Sequence, residues 1–237
     1  MTQALQAWVR MPNAWIEDGG LVELRWVRGQ GAANLAALMA LMVLNHHVDH
    51  ALGVSRLTYD ALSDMTGLSR SKLSAGLKVL EAKNLITRRH DGRSGYLLAK
   101  YGDPCTWAQL PANGLYRHGV VAAFAEFKLR HAAELEALKL YLLFASRRDR
   151  RTNMAHTTYD RIEYLTGIAR GNIKRALNVL AANGLVHIEF VDSQFSENGI
   201  ANAYRLAHLN TRRHMATMGR RDLAALRPTD QADDGPF

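Results

Sequence analysis

Two short stretches, Arg70 to Lys78 and Arg170 to Asn178, gather the side chains best suited to an anionic, hydrogen-bonding partner. The first offers Arg70, Ser71, Lys72, Ser74 and Lys78; the second offers Arg170, Asn172, Lys174, Arg175 and Asn178. Arginine can bridge the two acceptors on guanine and asparagine can pair with adenine, whereas lysine more often meets phosphate. No acid precedes Glu81 in the first stretch, and none occurs through Asn183 in the second. Ser69 can cap a helix whose first turn then carries Arg70 and Lys72, at the end where the helix dipole disfavours cations. That placement becomes favourable when the helix N-terminus faces a polyanion.

The chain as a whole points the same way. Its 237 residues carry 30 Lys and Arg against 22 Asp and Glu, a formal charge of +8, and a pI near 9.8. Such a balance favours nucleic acid, with a membrane surface as the other polyanion to consider. A hydrophobic content of 48% is enough for ordinary cores, and the length suits two modest domains. MTQALQAWVRMPNAW lacks the order of a secretory signal, and LAALMALMVL is short for a membrane span and fits a buried helix. No membrane role is expected. The single cysteine, Cys105, excludes an intramolecular disulfide and points to the cytoplasm.

The elements that must position the two stretches are themselves repeated. Displaced by 100 positions, residues 57–90 fall on residues 157–190 with 11 of 34 positions identical and no gap. Unrelated sequence would give about two, so the spacing reads as an internal duplication. WVRMP at 8–12 also resembles WAQLP at 107–111. Each copy is the size of a domain, and GDPCT at 102–106 interrupts the pattern. The expected division is 1–103, 104–209, and a 210–237 extension consisting of a basic helical part and an acidic disordered tail.

Each copy reads as an apolar helix, about 33–47 or 134–147, and then a short helix capped by Thr58 or Thr158 with Asp60 or Asp160 in its first turn. Thr66-Gly67 and Thr166-Gly167 supply a turn suited to a left-handed cap. The third helix follows, with Leu73, Leu77, Leu80 and Ile173, Leu177, Leu180 facing a core. Gly76 and Ala176 on that helix would allow a close helix crossing. Two strands around a polar turn end each copy, and the second turn is eight residues longer, judged by Tyr96 and Tyr204. The fold class expected is mainly α with small β-hairpins, α+β.

TGLSRSKLSAGLKVLEAKNLI resembles the recognition-helix segment of bacterial winged-helix DNA-binding proteins, with its Thr-Gly-Leu-Ser turn, spaced leucines and Leu-Ile strand start. The second copy keeps Thr166, Gly167, Leu177, Leu180 and Leu185 but has Ala169 where Ser69 caps. The resemblance implies two tandem winged helix-turn-helix domains whose third helices enter the major groove of double-stranded DNA. Two such domains in one chain resemble plasmid replication initiators. That resemblance implies origin binding, recruitment of replication proteins, and autorepression as a homodimer. A transcriptional regulator and a protein-interaction module are the alternatives.

The hairpins, or wings, differ in charge. Arg88, Arg89, His90 and Arg93 make the first basic and suited to backbone contact, while Glu189, Asp192 and Glu197 leave the second without a cation until Arg205. RRDRR at 147–151 is either a solvated helix end or a phosphate contact. His46 and His50 near Asp49 could suit a metal, but nothing completes a ligand set, so neither metal nor cofactor is expected. Tyr59 and Tyr159 recur at one site in both copies, which argues for packing. No phosphate loop, HExxH helix or paired carboxylates indicate an enzyme. Residues 117–148, uninterrupted after Gly119, are expected to form one long helix that spaces the domains or supplies a dimer face.

Overall fold

In a computed structural model the chain is described over residues 5–89, 95–103, 106–192 and 200–209. His90, Arg93, Cys105, Glu197 and the extension from 210 onward therefore lie outside the described residues. The fold is mixed α+β. The first half runs β1 (Trp8–Pro12), α1 (Ala14–Glu17), α2 (Gly31–His46), β2 (Val48–Asp49), β3 (Val54–Ser55), α3 (Tyr59–Thr66), α4 (Arg70–Ala82), β4 (Ile86–Arg89) and β5 (Gly95–Leu98). The second continues with β6 (Trp107–Pro111), a single 3-10 turn, β7 (Tyr116–Arg117), β8 (Val120–Val121), α5 (Ala122–Ala125), α6 (Ala132–Arg147), β9 (Met154–His156), α7 (Tyr159–Thr166), α8 (Arg170–Ala182), β10 (Val186–Asp192) and β11 (Ile200–Leu206). Long helix, short helix, third helix and hairpin thus follow one another twice.

Local chemistry explains the residues shared by the two series. Thr58 and Thr158 accept from the backbone N–H of Ala61 and Arg161, capping α3 and α7. Gly67 and Gly167 follow those helices with φ of 68° and 66°, a left-handed conformation that glycine adopts without steric cost. The buried Thr66 hydroxyl donates to Leu62 O at 2.7 Å and accepts from Leu68 N, and Thr166 does the same with Ile162 and Ile168. The Thr-Gly pair is therefore a self-contained corner. The two threonine hydroxyls are satisfied where no water reaches them.

α2 and α6 are buried on almost every side, as their nearly all-apolar sequences require, and form the centre of one continuous core. α4 crosses α2 at Gly76, where a Cβ would stand 2.7 Å from Ala36 C and 2.8 Å from Ala37 N. Each hairpin gains a short third strand, with β5 pairing β3 and β11 pairing β9. Arg88 faces Tyr96 and Ile188 faces Tyr204, which bears out the longer second hairpin. Tyr204 lies fully buried and stacks on Phe144 of α6, with centroids 4.2 Å apart and planes 6° apart.

The two halves are joined by equivalent strands. β1 and β6 form an antiparallel ladder whose register runs from Trp8↔Pro111 to Pro12↔Trp107, centred on Arg10↔Gln109. Val9, Met11, Ala108 and Leu110 face the core, while Trp8 and Arg10 are exposed and Trp107 and Gln109 half-buried on the outer side. The segment between β1 and α2 then reaches across to the second half. Asn13 donates to Ser146 Oγ, Glu17 accepts from Ser146 and Arg147, and the buried Lys139 Nζ donates to Leu24 O at 3.1 Å.

The expectation of one helix over residues 117–148 is overturned. His118 and Gly119 take φ of 50° and 81°, both positive as a two-residue hairpin turn requires, so β7 and β8 pair instead. A second interruption follows at Leu129, φ 56°, and Glu134 reaches back to accept from Lys128 N, so the long helix starts only at Ala132. NHHVDH is likewise not one helical turn, because α2 ends at His46. His46 is buried and bonded to Tyr116 Oη at 2.9 Å, whereas His50 is exposed and meets Tyr101 Oη at 2.5 Å.

Two outcomes follow from this packing. Gly76→Ala should destabilise the protein by about 1–3 kcal/mol in chemical denaturation, because the α2 backbone cannot yield to the added methyl. Burial lowers the Lys139 ammonium from its ordinary 10.5 to about 8. Between about pH 8 and 10 the unfolded chain then holds the extra proton and stability rises with pH. Lys139→Met, the residue at the matching position 39, should remove that rise from a series of melting curves.

Candidate nucleic-acid interface

The third helices place most of the expected cations in solvent. Arg70, Ser71, Lys72 and Lys78 on α4, and Arg170, Lys174, Arg175 and Asn178 on α8, are exposed, while Ser74 and Asn172 are half-buried. The leucines and isoleucine of the opposite face are buried, so the inward stripe fixes which residues point out. Neither helix has an acid in its first turn. Ser69 accepts from Lys72 N at 3.5 Å, as a cap should. Ala169 cannot do so, and the Glu163 carboxylate of α7 accepts from Arg170 N at 3.4 Å in its place.

The acids absent from the first turns of these helices arrive from their neighbours. Asp60 at the start of α3 pairs with Arg70, and Asp160 at the start of α7 pairs with Arg170. Each guanidinium also lies near the tyrosine that precedes its acid, Arg70 5.8 Å from the Tyr59 ring centre and Arg170 5.6 Å from Tyr159. Tyr59 Oη donates to Arg70 O at 2.5 Å. The tyrosines are half-buried against the core, so the packing role expected for them is what the structure shows. A Tyr-Asp step followed ten residues later by Arg is thus one unit in both halves. The repeated spacing carried this signal, but a reading of helix faces alone missed it.

In the second half, Glu136 of α6 accepts from Asn172 at 3.3 Å and pairs with Arg175 at 3.2 Å. Its counterpart is Ala36, where α4 comes closest to α2. Among the expected contact residues, Lys72, Lys78 and Lys174 form no ion pair among the described residues. The hairpins differ too. Arg88 pairs with Glu81 at 2.9 Å and leaves Arg89 exposed, while Arg205 pairs with Glu189 at 2.6 Å across the second hairpin. Among the described residues the first hairpin therefore offers an arginine without an ion pair, Arg89, and the second offers none. RRDRR is divided among partners: Arg147 meets Glu17, Arg148 meets Gln109, and Arg150 covers the Trp107 ring.

No family model matches the chain, and no curated protein matches it in sequence. Among the described residues no group of three His, Cys, Asp or Glu is placed to hold a metal, and no helix is long and apolar enough to cross a membrane.

Both arginine pairs are exposed, and such pairs contribute about 0–1 kcal/mol and weaken as salt rises. Asp60→Asn and Asp160→Asn should therefore each cost less than about 1 kcal/mol in thermal denaturation, with the difference shrinking at high salt.

Proposed function

We propose that this chain is a sequence-specific double-stranded DNA-binding protein built as two tandem winged-helix modules from an internal duplication. The observation that carries this reading is the matched pair α4 and α8. Each starts with an exposed arginine, carries no acid ahead of its last turn, and sits after the same Thr-Gly corner. A helix N-terminus of this kind offers backbone N–H groups, a favourable dipole and exposed cations to one polyanion. Arg70 and Arg170 act as equivalent base readers, Lys72, Lys78 and Lys174 meet phosphates, and Arg89 of the first hairpin grips the backbone.

The ion pairs with Asp60 and Asp160 are compatible with that role. An exposed pair is weak enough for guanine or phosphate to displace the carboxylate, and until then it keeps the guanidinium beside the helix start. The presence of two reading helices in one chain supports a replication initiator of a plasmid or other mobile element, with autorepression as a second use of the same surface. A repressor with no part in replication would use the same residues on a differently arranged target.

The direct measurement is duplex affinity across a salt series. Observed affinity should fall steeply with salt, and Lys72→Ala with Lys174→Ala should reduce the slope of log K against log salt by about two. Arg70→Ala and Arg170→Ala should each cost about 1–3 kcal/mol on the preferred sequence and relax discrimination at one position per half-site. Footprinting should then protect about two helical turns. A flat salt slope would sink the reading.

A further inference from the structure

The outer face of the β1–β6 ladder carries a second constellation, separate from α4 and α8. Trp8, 37% exposed, stacks with Trp107 across the ladder, their centroids 6.1 Å and planes 9° apart. Two guanidinium groups lie on the Trp107 ring, Arg10 at 4.5 Å from its centre and Arg150 at 4.1 Å. Neither Arg10 nor Arg150 forms an ion pair among the described residues, and Arg151 next in the chain is exposed.

The acids nearby are already engaged. Asp149 Oδ1 accepts from Arg151 N, Thr152 N and the Thr152 hydroxyl, which closes its own turn. Glu17 is taken by Ser146 and Arg147. Burial, and then the charge of Arg150, pull the Arg148 guanidinium below its ordinary pKa. An anion set against this edge would relieve that repulsion. The face therefore combines an accessible indole with two guanidinium groups, of Arg10 and Arg150, that form no ion pair among the described residues, and with the exposed Arg151, whose nearby acid Asp149 is held in its own turn.

We propose that this face binds single-stranded nucleic acid, with an unpaired base stacked on Trp8 and backbone phosphates at Arg10, Arg150 and Arg151. Aromatic rings interleaved with cations suit that ligand because every unpaired base has an open π-face, whereas the bases of a duplex are already stacked on one another. Arginine held over the Trp107 ring adds charge without leaving the aromatic surface. A duplex held by α4 and α8 and a single strand held by the ladder would thus occupy different surfaces of one chain.

The test uses the full chain and fluorescence anisotropy with a labelled oligothymidylate of about 12 nucleotides. Wild type should bind it saturably, more weakly as salt rises, and Trp8→Ala should lower affinity about tenfold. Arg10→Ala with Arg150→Ala should reduce the salt slope. Trp8→Phe, which keeps a stacking ring on the same strand, should retain most of the affinity, and it serves as the reference if Trp8→Ala proves unfolded by circular dichroism. None of these changes should weaken duplex binding, and Lys72→Ala with Lys174→Ala should leave the oligothymidylate affinity unchanged. Absence of saturable binding, indifference to the Trp8 and arginine changes in folded protein, or equal losses on duplex would each overturn the proposal. Loss of duplex binding alone would count against the helices and not against the ladder.

Discussion

The antiparallel pairing of β1 with β6 is the constraint on which the rest of the molecule depends. Its register maps onto itself when the halves are exchanged, because Trp8 faces Pro111 as Pro12 faces Trp107. A slip of one residue in β1 would turn Val9 and Met11 outward and bury Trp8 and Arg10, so the alternation of the strand excludes that register. With the register fixed, α2 and α6 meet beneath the ladder and share one core. α4 and α8 are then anchored to those two helices. The relative placement of the two cationic faces is therefore a property of the core, not of a linker.

Within that symmetric frame the two halves differ where packing allows. Gly76 lets α4 approach the α2 backbone, whereas Ala176 opposes α6 at a position where Glu136 has room to reach Asn172 and Arg175. Met39 is apolar in α2, while Lys139 in α6 carries an amine into the core and ties it to Leu24 O. The hairpins differ in charge as well as in length. The first cationic face is consequently more open than the second, although each retains the same Tyr-Asp-Arg unit at its edge.

Much of this was legible in the sequence because the governing interactions are local. Threonine caps, the Thr-Gly corners, the inward leucines and the eight-residue difference between hairpins are all set within a few residues or by simple periodicity. Residues 117–148 misled because the missing cue was conformational: Gly119 was visible and His118 is of a type enriched at positive φ, but the left-handed Leu129 was not visible, because leucine seldom adopts that geometry. The acids facing Arg70, Arg170 and Arg175 were equally hidden from a reading of one helix at a time, since Asp60, Asp160 and Glu136 belong to neighbouring elements. The ladder was visible only as a faint likeness between WVRMP and WAQLP. Strand pairing across about a hundred residues leaves no periodic trace.

The self-matching register has a further consequence. A seam in which each side presents equivalent positions to the other is the arrangement found between two identical subunits, where assembly depends on protein concentration. Carrying both sides on one chain turns that encounter into an intramolecular one, with an effective concentration set by the connecting segment. Under the duplication reading, the paired form would then persist at any dilution. The number of molecules in a cell would govern how many targets are occupied, and not whether the two faces are assembled.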